Sequence, residues 1–152
     1  MTRKLYSTCL VLTLGASYAL TAYPQVKPEV LVKQRQAVMT LQGKYMGPLA
    51  GMLKGVVPYD EKVVARNAGY LEVLSKMPWD GFDPSTRDVK SQALPAVFTE
   101  RGKFKEAQDR LQTAIAQLVA AAKVGSEGPI KTAIGDVGKA CGNCHENFRE
   151  KQ

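Results

Sequence analysis

Histidine occurs once in the 152 residues and tryptophan once, and no apolar run reaches the length a membrane-spanning helix requires, about 20 residues. The longest run, from Leu5 to Leu14, is diluted by Ser7, Thr8 and Thr13, so a membrane span is not expected. Lysine and arginine are nowhere clustered with interleaved aromatics, which argues against a nucleic-acid surface. Also missing are the two-residue alternation of strands, any internal repeat and any low-complexity tract. What these gaps leave is one helical domain, since the chain is long enough for a single core and too short for two of ordinary size.

The chain opens with a positive start (Arg3, Lys4), a short apolar stretch and then small residues, the pattern of a secretory signal over residues 1–22 with cleavage after Ala19 or Ala22. Cys9 falls inside it without the late position of a lipoprotein cysteine. Residues 23–152 then keep two cysteines and carry 19 basic and 14 acidic side chains, a net +5. A mild, dispersed excess of this kind favours acidic partner proteins without marking a dedicated site.

Four helical segments are expected. Residues 29–54 place Val32, Met39, Met46 and Leu53 on one stripe, with Pro48 as a kink. Gly55 and Pro58 break that helix, and Asp60 caps a second one that runs to residue 77, where Pro78 stops it. Residues 78–94 form a connection of unusual length, the kind that often covers something. A third helix over 95–124 carries Phe98, Phe104, Leu111, Ile115 and Leu118. Pro129 suits the first turn of a fourth, in which Ile130, Ile134, Val137, Cys141, Cys144 and Phe148 recur at steps of four, three, four, three and four. The expected architecture is an all-α, antiparallel up-down-up-down four-helix bundle over residues 23–152.

The inward stripe of the last helix contains Cys141, Cys144 and His145 as CGNCH. Two thiols three residues apart can add to the two vinyl groups of a haem, and the adjacent imidazole can turn beneath the ring to ligate iron, which makes CxxCH the c-type haem attachment motif. A thioredoxin-like dithiol would want a strand-to-helix context, and a zinc site needs four ligands where three remain. Covalent haem c, one per chain, is the expected cofactor. With a single histidine, two-histidine ligation within the chain is impossible.

GKACGNCHENFREK near the end, with RQAVMTLQGKYMGPLAGMLKG in the first helix and PYD before the second, resembles the cytochrome c′ family of class II c-type cytochromes across the whole of residues 23–152. The resemblance implies a periplasmic bundle with haem between the helices, His145 as proximal ligand, Arg149 one turn beyond it, and pairing of two chains through the first two helices. It also places Arg35 beside a haem propionate and Met39 over the distal face of the iron. That distal position is apolar in the high-spin members of the family and Met in the low-spin branch.

Helix rise alone selects the same methionine. His145 lies about 10 Å from the end of the fourth helix, and Met39 about 15 Å into an antiparallel first helix, against about 26 Å for Met46. Met77, ending the second helix, has a suitable height but sits diagonally across the bundle and is the second candidate. Any of these methionines could instead be core filler, and Trp79 and Phe82 could either meet the haem edge or simply close the bundle. The expectation is a periplasmic electron carrier with His145 and Met39 as axial ligands, handing electrons to redox partners. The alternative is an NO- or CO-binding protein with an empty or displaceable distal site. No second histidine or acid/base pair accompanies the motif, so no enzymatic activity is expected.

Overall fold

A computed structural model describes residues 25–151; the expected signal segment, residues 1–22, lies outside the described residues. Helix α1 spans Pro28–Leu53, α2 Glu61–Leu74, the single-turn α3 Ala96–Thr99, α4 Arg101–Val124 and α5 Glu127–Phe148. Two 3₁₀ turns, Trp79–Phe82 and Pro84–Thr86, lie in the connection between α2 and α3. The four long helices form the bundle: α4 packs most extensively on α5 and next on α2, α1 packs on α2, and α1 meets α5 less closely. Tyr45 meets Tyr70 with ring centroids 4.7 Å apart, and Gln42 donates to the Leu74 carbonyl at 3.0 Å, which fixes α1 and α2 as antiparallel neighbours.

Local chemistry sets the helix ends. Asp60, extended at φ −138°, accepts from the backbone N–H of Lys62 at 2.9 Å and of Val63 at 3.1 Å and so starts α2. Pro48 does not end α1, which continues to Leu53. The second helix stops at Leu74, three residues earlier than expected: Pro78 has no N–H to donate to the Leu74 carbonyl, which accepts in a tighter turn from Met77 instead. The Ser75 carbonyl, left without a helical donor, accepts from the Trp79 indole at 2.6 Å and from the Gln112 amide at 3.1 Å. The expected continuous third helix is broken at Glu100 (φ −114°, ψ 47°). In an unbroken helix Phe98 and Ala107 would lie on opposite sides, nine residues at 100° each; the break turns both into one cluster with Val97 and Phe148. α4 ends at Gly125, whose φ of 81° is left-handed backbone that a side chain disfavours. α5 starts two residues before Pro129, whose missing N–H falls among the unpaired donors of a first turn.

The core is polarised along the bundle. Away from the C-terminus of α5 it is a close-packed aliphatic cluster in which Leu49, Leu118, Ile130 and Ile134 are fully buried. Towards that terminus it becomes aromatic and opens into a cavity.

Candidate functional site

The cavity has a volume of about 480 Å³ and is walled by α1, the 78–94 connection, α4 and α5. From α5 come Cys141 and Cys144, partly buried and one turn apart, and the adjacent His145, which lines the cavity from a more exposed position. Arg35 and Met39 come from α1, also one turn apart, and Trp79, Phe82 and Phe104 form much of the apolar wall. The Phe104 ring lies at the centre of the aromatic group, its centroid 5.9 Å from Trp79, 4.9 Å from Phe82 and 5.1 Å from Phe148. The ends of the 78–94 connection and of the haem-motif helix are tied by backbone pairing: Leu94 N–H donates to Phe148 at 3.0 Å and Glu150 N–H to Gln92 at 2.8 Å.

The thiols are not joined to each other. Burial raises the pKa of both, and for Cys144 the neighbouring Cys141 adds to the rise. Partial burial, and after it the positive charge of Arg149, lowers the pKa of His145, which favours the uncharged imidazole with a lone pair to give. Arg149 Nε is buried without a hydrogen-bond partner, an orphaned donor in the wall of the cavity. Arg35 is 3 % exposed, and no carboxylate pairs with it among the described residues. A hollow of this size, mostly apolar, with two thiols, an uncharged imidazole and two cations lacking anionic partners, suits a flat apolar macrocycle with carboxylate arms.

The sequence-selected residues Cys141, Cys144, His145, Met39 and Arg35 therefore share one cavity. Met77 does not belong to it: it is 54 % exposed, because the early end of α2 turns it outwards, and it is set aside as a ligand. Trp79 and Phe82 line the cavity rather than merely closing the bundle. Sequence reasoning missed Gly81, Thr86 and Ser91, whose atoms hold the Arg35 guanidinium. They lie in a connection without periodicity, and only the length of that connection signalled a role.

A four-helix bundle that presents CxxCH from its last helix into an apolar cavity defines a c-type cytochrome. The cytochrome c′ family model matches residues 30–149, and the chain belongs to that family, with covalent haem c as its cofactor. Cytochrome c′ of Rubrivivax gelatinosus is 39% identical over 126 residues, 82% of this chain and 98% of that one. Its solved structure at pH 8.0 superposes with a TM-score of 0.78 at 38% identity, over 82% of this chain and 98% of that one. A nitric oxide complex of a variant cytochrome c′ from Alcaligenes xylosoxidans gives a TM-score of 0.76 at 36% identity, covering 83% of this chain and 98% of that one. A carbon monoxide complex of another variant of the same protein gives the same TM-score, identity and coverage. No helix among the described residues is long and apolar enough to cross a membrane.

Proposed function

We propose that this mono-haem cytochrome takes up a diatomic ligand, NO or CO, on the distal side of the iron, with Met39 beside that position and unbound or displaceable. The observation that carries the reading is the shared cavity of Met39 and His145, together with the NO- and CO-bound relatives on the same fold. It replaces the sequence-based preference for a carrier with a permanent Met39–His145 ligand pair, because the family likeness is to cytochromes c′.

Cys141 and Cys144 would hold the haem by thioether bonds and His145 would give its lone pair to the iron. Bound there, the haem supplies a coordination position and a one-electron couple. Trp79, Phe82, Phe104 and Leu111 give the cavity an apolar wall, which favours neutral diatomic ligands over charged ones. Arg35 has donors left beyond its three bonds to the connection, and a haem propionate is their natural acceptor. Export through the signal of residues 1–22 puts the protein in the periplasm. The exposed Leu41, Tyr70 and Val73 on the outer side of α1 and α2 support pairing with a second chain, and the net positive charge supports acidic redox partners.

The second reading, electron transfer through a fixed Met39 ligand, is favoured by the presence of the Met39 side chain in the cavity wall. Carbon monoxide titration of the ferrous protein beside Met39→Leu, a volume-conserving change, separates the two. Uptake by both proteins is expected. Uptake by Met39→Leu alone would establish the second reading.

A further inference from the structure

We propose that residues 78–94 form a strap over the haem cavity and that Arg35 is the latch that holds it shut. The inference rests on the cavity being the haem site, not on which ligand the iron takes. The strap contributes Trp79, Phe82, Ser91, Gln92 and Ala93 to the wall of a cavity already partly open, so moving it would open the cavity further to solvent. Its far end is paired to the backbone of residues 148 and 150, and its start follows α2 after the short turn of residues 75–77. Between these ends most of its side chains are exposed, including Asp83, Ser85, Arg87, Asp88 and Lys90.

The middle is held by one side chain of α1. Arg35 Nη1 donates to the Gly81 carbonyl and, at 3.1 Å, to Thr86 Oγ1. Its Nη2 donates to Ser91 Oγ at 2.9 Å. The guanidinium also lies 4.5 Å from the centroid of the Phe82 ring. One buried cation thus fastens four points spread over eleven residues of the strap. The approach is close: a Cβ at Gly81 would lie 2.6 Å from Arg35 Cβ and 2.9 Å from the Leu31 carbonyl oxygen, so only glycine fits against α1 there. Thr86 is held in turn, its hydroxyl donating to the Asp83 carbonyl at 2.7 Å.

A guanidinium with only neutral partners in a buried place is costly, because charged groups lose hydration on burial and seek an opposite charge. A haem carboxylate can supply that charge from inside the cavity while the strap occupies the other donors. Closure of the strap is then coupled to the presence of haem. Met39 lies one helical turn from Arg35, so the latch fixes the strap against the stretch of α1 that walls the cavity. Arg35 is a positioning residue: it acts through the strap on entry to the site.

Hydrogen exchange of the haem-loaded protein, followed by mass spectrometry of a peptide covering 78–94, tests the latch in Arg35→Lys, Arg35→Gln, Ser91→Ala and Arg87→Ala. Arg87 touches the strap's other cation–ring contact, with Phe98 at 5.7 Å, and serves as the control. The expected result for Arg35→Gln is exchange at least tenfold faster in the strap, with a peptide covering 111–118 unchanged. Arg35→Lys and Ser91→Ala should give smaller increases and Arg87→Ala none. The rate of carbon monoxide association should rise in the same order. Strap exchange that stays at the wild-type rate in Arg35→Gln, or acceleration equal in all peptides, would overturn the proposal. Should Arg35→Gln fail to fold, Ser91→Ala decides by the same criterion. A wild type that takes up no carbon monoxide counts against the proposed function, and strap exchange alone then decides the latch.

Discussion

The two ends of the bundle share α1, α4 and α5 but use them on different terms, and at the hollow end the 78–94 connection takes the place of α2 in the wall. At the end remote from His145, Leu49, Val64, Leu118, Ile130 and Ile134 have no measurable exposure, and the hollow beside them, about 750 Å³ between the end of α1 and the start of α2, is a wide surface groove. At the other end the stripes of the same helices continue as Arg35 and Met39, Phe104, and Cys141 with Cys144, around a hollow of about 480 Å³. The aliphatic end holds the helices together, which leaves the aromatic end free to stay hollow, to bury a cation and to depend on a strap instead of a full core. α1 and α5 accordingly meet less closely than the other neighbouring pairs, since the cavity lies between them.

If the remote end carries the stability, its core should be the most sensitive place in the molecule. Leu118→Ala, at a fully buried position, should cost about 2–5 kcal/mol in urea-induced unfolding, the span that cavity-forming leucine truncations show. A loss below about 1 kcal/mol there would remove the basis of the contrast. Gly81→Ala probes the hollow end by adding a methyl where Arg35 Cβ already lies at 2.6 Å. It should cost about 1–3 kcal/mol, as overpacking does, and loosen the strap while leaving the far-ultraviolet circular dichroism of the bundle intact. Asp60→Ala removes the cap of α2 at the remote end and should cost about 1 kcal/mol, with no change in the visible spectrum of the haem. A spectral change in that variant would mean that the two ends are coupled more tightly than their packing suggests.

The helical part of this design was legible in the sequence because helices have a period. Steps of four and three from Ile130 to Phe148 placed Cys141 and Cys144 on the inward stripe, and helix rise placed Met39 at the height of His145, whereas Arg35 was set there only by the family resemblance. Features without a period were not legible. The bonds of Arg35 to Gly81, Thr86 and Ser91 span 46, 51 and 56 residues, and nothing in the local sequence announces them. The outward position of Met77 depends on where Pro78 ends α2, a matter of a single turn. The break at Glu100 follows from the demand of Phe98 and Ala107 for one shared cluster, a tertiary constraint on a stretch that reads as plain helix.

The ligand-binding reading makes one demand that the fixed-ligand reading does not, which is a distal position open to an incoming molecule. The absorption spectrum of the purified ferric protein, recorded again after reduction under carbon monoxide, tests it most directly. Complete conversion to the carbon monoxide form is predicted, with a high-spin ferric spectrum if Met39 is unbound and a low-spin one if it is bound but displaceable. A low-spin ferric spectrum, with a reduced protein that refuses carbon monoxide, would contradict it and make Met39 a permanent ligand opposite His145.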